Sequence, residues 1–239
     1  MTENRIITYS FFFVLLITNL YLWQNIHKIE KTWANVPPVP SNNTASVITL
    51  GDKQLAYRIY AIMLQNIGSI GGKTVSLKDY NYQDLKKWFF LQHGLDQKSN
   101  ITPMLAAQYF GAIEEPEKLD AVFDYLTLVG SDPTGEKWRW LGHAVFLAKH
   151  IMKDNNKALE LANKLAQNKN PDLADWAKQM PAFILQEQGQ SELAYKIMLN
   201  ILISNIDTLH PSEIFYMKEY ICLTLLPDLP ETPKPDFCE

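Results

Sequence analysis

Residues 154–194 read DNNKALELANKLAQNKNPDLADWAKQMPAFILQEQGQSELA, and the fold prediction starts from this stretch. Apolar residues recur in it at helical spacing, and Pro171 and Gly189 interrupt the runs. Proline is tolerated at the first position of a helix, where its missing N–H is no loss, and glycine commonly ends a helix. We therefore predict three helices joined by short turns, over Lys157–Gln167, Pro171–Gln188 and Ser191–Ile203.

Prolines that precede apolar runs recur in both directions along the chain. Pro103, Pro133, Pro171 and Pro211 are 30, 38 and 40 residues apart, and each interval has room for two antiparallel helices. The further predicted helices are Asp52–Asn66, Asn81–His93, Thr102–Ile113, Pro116–Val129, Pro133–Lys153 and Pro211–Leu225. Hairpins repeated at this interval predict an α-solenoid, here over residues 51–226.

The composition supports an all-α fold and excludes several classes of protein. Of 239 residues only ten are glycine and eight are valine, which is poor material for a β-rich fold. The net charge of −4 argues against a nucleic-acid-binding protein that neutralises phosphates. Two cysteines, Cys222 and Cys238, cannot form a four-ligand zinc site or a disulfide framework.

Two short segments carry a resemblance to a known repeat family. Asp154–Ala158 and Gly189–Ala194 each place an alanine just after a turn, and the two alanines are 36 residues apart. Pro171 lies thirteen residues after Ala158, and Trp140-Leu141-Gly142 looks like the opening of a repeat. In these features residues 102–203 resemble the tetratricopeptide repeat (TPR), whose period is about 34 residues. The resemblance implies a TPR-like scaffold that binds peptides or protein surfaces without catalysis, with Gly142, Ala158, Pro171, Gly189 and Ala194 as its signature residues.

The N-terminal residues predict a membrane anchor. Residues 6–23 read IITYSFFFVLLITNLYLW, eighteen positions without a charge, and a bilayer core about 30 Å thick needs roughly twenty. A cleaved signal peptide and a buried core helix are the competing interpretations; the first is disfavoured because no A-x-A-like site follows the apolar run. We expect residues 1–31 to form a single-pass anchor with the domain on the extracytoplasmic side. The anchor residues are Ile6, Phe11, Phe12, Phe13, Leu16, Leu20, Tyr21 and Trp23.

Proline-rich segments flank the predicted repeat domain. Residues 32–50 contain three prolines within four positions and then Ser, Asn and Thr, which predicts a spacer that holds the domain off the bilayer. Residues 227–239 contain four prolines and four acids, which predicts an extended acidic tail. Cys222 and Cys238 would pair only if this tail folds back.

Clustered aromatic residues suggest a surface for a protein partner. Trp88 and Phe89, and likewise Trp138 and Trp140, cannot all point the same way from one helix. One member of each run should therefore be exposed, unless neighbouring repeats bury them all. These four residues are the candidate partner surface.

No residue pattern predicts catalysis, a metal or a cofactor. The stretch IGSIGGKT at 67–74 lacks the first glycine of a phosphate-binding loop, and His143 and His150 lie seven residues apart without further ligands. We expect a membrane-anchored scaffold or assembly factor that is not an enzyme and binds proteins, among them membrane-complex subunits, but no nucleic acid. An accessory structural subunit of a large membrane complex is the alternative, and a helical enzyme with an unrecognised site is a third.

Overall fold

The chain folds almost entirely into helices. The computed structural model describes residues 2–28, 36–70 and 73–238. In those ranges the α-helices are α1 (Thr2–Lys28), α2 (Lys53–Gln65), α3 (Tyr82–Leu95), α4 (Ile101–Met104), α5 (Pro116–Gly130), α6 (Trp138–Phe146), α7 (Asn155–Ala166), α8 (Asp175–Glu187), α9 (Ser191–Ser204) and α10 (Pro211–Tyr220). The one strand pairing in the described ranges is antiparallel and only two residues long, between β1 (Ser69–Ile70) and β2 (Lys73–Thr74). The all-α prediction is confirmed.

Three helices continue into a wider π-helical turn. Leu105–Phe110 extends α4, Leu147–Ile151 extends α6, and Ile221–Leu225 extends α10. A π turn inserts an extra residue per turn and is often found at functional sites. The helices α4 and α6 begin predicted hairpins, and α10 is the single helix predicted to follow the third hairpin.

Side-chain caps explain where several helices begin. The carboxylate of Asp52 accepts a hydrogen bond from the N–H of Leu55, and the carboxylate of Asp154 accepts two from Asn156 and Lys157. Asn81 caps α3 in the same way. These caps satisfy N–H groups that have no partner within the helix, so the short polar residue before each apolar run determines the first turn.

Two predicted helix starts are wrong. The structure begins α6 at Trp138 and α8 at Asp175, whereas prolines 133 and 171 lie in the turns that precede them. Pro211 does occupy the first turn of α10, as predicted. A proline inside a helix usually kinks or breaks it, yet α8 is continuous through Pro181, which is buried.

Helices pack mainly on their neighbours in sequence. The most extensive contacts join α5 to α6, α6 to α7, α7 to α8 and α8 to α9. One buried apolar cluster runs from Val36 to Ile184, and a second is formed by α8, α9 and α10. Each cluster draws buried residues from several helices, so consecutive hairpins share their apolar interior.

Both flanking segments differ from the free chains that the sequence predicts. Val36 and Ala45 are buried, and the Ala45 carbonyl accepts a hydrogen bond from the Tyr60 hydroxyl. Residues 36–50 are therefore part of the domain and not a spacer. The C-terminal residues fold back because a disulfide joins Cys222 to Cys238, and Phe237 packs on the second cluster.

Candidate functional site

The predicted partner surface is largely buried, so this prediction is corrected. Trp88, Phe89 and Trp138 are 2%, 0% and 2% exposed, and only Trp140 is half-buried. Residues 36–45 cover Trp88, whose indole N–H donates to the Pro37 carbonyl at 2.8 Å. Neighbouring aromatic side chains do point in different directions from a helix. They are nevertheless buried, because other parts of the chain cover more than one side of α3 and of α6.

A different set of aromatic residues lies at the surface. An interval of 37 residues separates successive members of the set Tyr109, Phe146, Phe183 and Tyr220, which lie in the π-helical extension of α4, in α6, in α8 and in α10. Tyr109 and Phe146 are 43% and 48% exposed, and the other two are half-buried. We call these four side chains the aromatic ladder.

The residue after each ladder position explains the regularity. Phe110, Leu147, Ile184 and Ile221 are at most 3% exposed and belong to the buried clusters. Successive side chains on a helix are separated by about 100°, so burying the second of each pair turns the first toward the edge of the packed face. The ladder is therefore held in place by the core.

Three ladder positions border a groove of about 350 Å³. It is lined by Val145, Phe146, Lys149, His150, Met180, Phe183, Ile184, Gln186, Glu187 and Tyr220. The ring centroid of Phe146 lies 4.8 Å from that of His150, and Phe183 meets Tyr220 edge-on at 5.2 Å. This volume falls within the range of roughly 300–1,000 Å³ typical of ligand pockets.

One ion pair connects two sides of the groove. Lys149 Nζ lies 2.6 Å from Glu187 Oε1, and their side chains are 21% and 45% exposed. The pair ties the π-helical turn after α6 to the end of α8. Apolar rings beside a solvent-accessible ion pair suit a protein segment that offers apolar side chains to the rings and polar groups to the pair.

His143 joins the first helices of two consecutive hairpins. Its Nε2 lies 3.1 Å from the carbonyl oxygen of Ala107, in the π-helical turn after α4. Burial lowers the pKa of His143, and the hydrogen bond to Ala107 opposes that shift without reversing it. The neutral imidazole therefore donates this hydrogen bond at neutral pH, with the proton on Nε2.

Other polar contacts also link positions about one hairpin apart. The buried ammonium of Lys137 donates to the carbonyls of Lys98 and Ser99 and to Asn100 Oδ1, at 2.8–3.0 Å. The Asn170 amide donates to the Pro133 carbonyl. These bonds hold inter-helix loops against the following hairpin.

The TPR signature residues lie at helix contacts and turns. Ala158 and Ala194 are fully buried, and Gly142 is buried where an added Cβ would meet the Trp176 ring at 3.3 Å. Gly189 has a φ of +74° and ends α8. Pro171 is exposed in a turn.

The predicted anchor residues lie together on α1. Phe11, Phe12, Phe13, Leu16, Leu20, Tyr21 and Trp23 are 42–67% exposed, and Ile6 lies in the first turns of the helix. Residues Ile7–Ile26 are long and apolar enough to cross a membrane, and none of them is buried in the protein. The alternative of a buried core helix is therefore wrong.

In the described part of the chain, no three His, Cys, Asp or Glu side chains converge as they would for a metal. Of the near-match to a phosphate-binding loop, Gly71 and Gly72 lie outside the described residues. The ladder itself was missed at the sequence level, although its 37-residue spacing is visible there.

Comparison with protein-family models, curated proteins and solved structures finds no match. The geometry of the chain itself therefore carries the functional argument.

Proposed function

We propose that this protein is a membrane-anchored scaffold whose TPR-like solenoid binds an extended segment of a partner protein along the aromatic ladder. The observation that carries the proposal is the recurrence of one partly exposed aromatic residue at 37-residue intervals, in the π-helical extension of α4 and in α6, α8 and α10. A repeating row of rings presents equivalent contacts to successive parts of one chain.

The groove suits an extended partner. The Phe183 and Tyr220 rings lie 5.2 Å apart between centroids, and Phe146 lines the same groove. An extended chain directs alternate side chains to one face, about 7 Å apart, so a segment with apolar residues at alternate positions would present them to these rings. Lys149 and Glu187 would bind polar groups of that segment, because both charges border the groove.

Several contacts support the solenoid arrangement. Helices pack on the next helix in sequence, and hydrogen bonds link residues 36–38 positions apart, such as His143 to Ala107 and Asn168 to Gly130. Ala158 and Ala194 are buried 36 residues apart, where a small side chain allows helices to approach closely. These features are those of stacked helical hairpins.

The membrane assignment rests on α1 and on the cysteines. A largely apolar helical segment of twenty residues that is exposed on every side is costly in water but long enough to cross a bilayer. The disulfide between Cys222 and Cys238 favours an oxidising compartment. Together they support a single-pass protein with its helical domain on the extracytoplasmic side.

Site-specific photo-crosslinking tests the proposal. A photoreactive residue at Phe183 should crosslink to a partner in intact cells, whereas one at Phe215 should not, because Phe215 is 69% exposed but does not line the groove. The variant F146A/F183A should abolish a crosslink formed from Tyr220. Equal crosslinking from Phe215, or an unchanged crosslink in the double variant, would refute groove binding. Stoichiometric comigration with one large complex on native gels would indicate an accessory subunit.

A further inference from the structure

A second apolar surface lies at the start of the helical domain. Val47, Ile48 and Leu50 are 62%, 66% and 99% exposed in and just after a 3₁₀ turn. Leu55, Ile59 and Ile62 are 47%, 42% and 62% exposed on α2. We call these six side chains the entry patch.

The patch spans two packed elements. Positions 55, 59 and 62 are spaced i, i+4 and i+7, so they share a face of α2. The 3₁₀ turn packs against α2, and Asp52, which caps α2, connects the two. Six large apolar side chains within sixteen residues exceed the scattered exposure expected of a soluble surface.

Leu50 is held in an unusual conformation. Its φ is +56°, in the left-handed region that favours glycine, and its side chain is 99% exposed. A residue other than glycine is strained in this region, and the exposed leucine gains no packing inside the protein. Exposure of the Leu50 side chain to water is unfavourable, whereas its insertion into an apolar medium would be favourable.

The chain also limits how far this surface lies from α1. Only residues 29–35 separate Lys28, the last residue of α1, from Val36, which is buried in the domain. Eight residue steps reach at most about 28 Å when fully extended. Residues 36–45 are bound to α2 and α3 through Tyr60 and Trp88, so this segment joins the domain beside α2, the helix that carries half of the patch.

The charges near the patch suit a lipid surface. Lys53 and Arg58 are exposed on α2, and neither forms an ion pair with any residue in the described ranges. From position 47 to position 62 the only acidic residue is Asp52, so this segment is basic in a chain with a net charge of −4. Apolar side chains beside basic ones are the pattern of interfacial helices that bind anionic headgroups.

We propose that the entry patch docks onto the bilayer, with Leu50 inserted below the headgroups and Lys53 and Arg58 on anionic lipid. The inference rests on the proposed role of α1 as a membrane anchor. Docking would fix the first hairpin on the membrane, while the groove beside α8 and α10 stays available to a partner.

Fluorescence of a labelled full-length chain in vesicles tests the docking. Leu50→Cys would carry an NBD label attached without reduction of the Cys222–Cys238 disulfide, in vesicles of phosphatidylcholine with or without phosphatidylglycerol. The matched control is Ile203→Cys, because Ile203 is 64% exposed at the far end of the domain. We expect NBD at position 50 to emit at shorter wavelength, and to be quenched about twofold or more by nitroxide lipids, since interfacial groups sit about 5–10 Å deep.

Each alternative outcome has a separate meaning. NBD at position 50 that is as accessible to aqueous iodide as NBD at position 203 would refute docking. A blue shift that depends on protein density and resists nitroxide lipids would show that a second copy covers the patch, and would also refute it. If the chain fails to float with vesicles, the anchor itself is wrong and the proposed function fails. Loss of the effect in K53Q/R58Q on anionic vesicles would support the headgroup contact.

Discussion

The Nε2 atom of His143 lies 3.1 Å from the carbonyl oxygen of Ala107. This contact joins α6 to the π-helical extension of α4, close to two residues of the aromatic ladder. The ladder residues Tyr109 and Phe146 follow these two residues within three positions. This contact therefore helps to set the relative placement of two ladder positions.

Acidification should destabilise the fold around His143, because protonation places a charge on a partly buried ring, although the hydrogen bond to Ala107 persists. Burial lowers the pKa of His143 in the folded chain, so the unfolded chain binds its proton more readily. Stability linked to His143 is thus fully present above the ordinary pKa of about 6.5 and falls as the pH drops below it. We expect urea unfolding to show a smaller loss of stability between pH 7.5 and pH 5.5 in H143Q than in the unmodified chain. Identical pH profiles would rule out this titration, and the same substitution at exposed His150 serves as control.

Removal of the disulfide should destabilise the C-terminal helices. Cys222 and Cys238 close a loop of sixteen residues, and crosslinks of that length stabilise proteins by about 3 kcal/mol. Chemical unfolding of C222A/C238A should show a loss on this scale, with hydrogen exchange increased mainly in α9 and α10. Reductant should reproduce the loss in the unmodified chain and leave the variant unchanged. If reductant leaves the stability of the unmodified chain unchanged, the pairing of the two cysteines is contradicted.

Substitution of alanine for two helical glycines should change the stability of the protein in opposite directions. A Cβ at Gly130 would lie 2.4 Å from Leu141 Cβ and 2.6 Å from its backbone nitrogen, at the contact between α5 and α6. We expect G130A to lose about 1–3 kcal/mol of stability, as overpacking usually does.

Gly94 is the matched control, because a Cβ there meets nothing within 4 Å and the residue is exposed in α3. G94A should gain about 0.5–1 kcal/mol from the better helix propensity of alanine. Thermal unfolding distinguishes the two; a neutral G130A would show that α5 and α6 are less closely packed than described.

Lys137 should contribute more to the stability of the fold than a surface lysine does. Its ammonium binds three oxygens of residues 98–100 and is largely shielded from solvent, which lowers its pKa. K137M keeps the apolar stem but leaves these oxygens unpaired, so we expect a loss of about 1.5–3 kcal/mol.

The comparison variant is K86M, which breaks an exposed ion pair with Asp124. Such pairs contribute about 0–1 kcal/mol, so its unfolding midpoint should barely move. Equal effects of the two substitutions would mean that the Lys137 contacts add nothing beyond a surface pair.

The helices were predictable where local signals decide them. Asp52, Asn81 and Asp154 precede apolar runs, and α2, α3 and α7 each begin at the next residue. The starts of α6 and α8 were misplaced, because Pro133 and Pro171 are equally suited to a turn and to a first helical position. The π-helical turns had no local signal that we recognised.

The candidate site was less predictable than the helices. Trp88 and Trp140 have similar sequence surroundings, with another aromatic within two positions, yet Trp88 is buried by residues 36–45 and Trp140 is half-buried with its indole N–H on Asn100. Burial depends on segments that are distant in sequence. The pairing of Cys238 with Cys222 likewise depends on the tertiary structure, because residues 229–238 must fold back to bring the two cysteines together.

The amino-acid sequence by itself determines that this chain is helical, where most of its helices lie, and that one N-terminal helix is apolar enough to cross a bilayer. These properties follow from periodicity and capping within a few residues. The tertiary structure alone decides which aromatic residues form a surface, that residues 36–50 join the domain, and that the two cysteines pair. The reason is that burial and pairing depend on contacts between residues 30 or more positions apart or on the path of a folded-back tail, which local patterns do not encode.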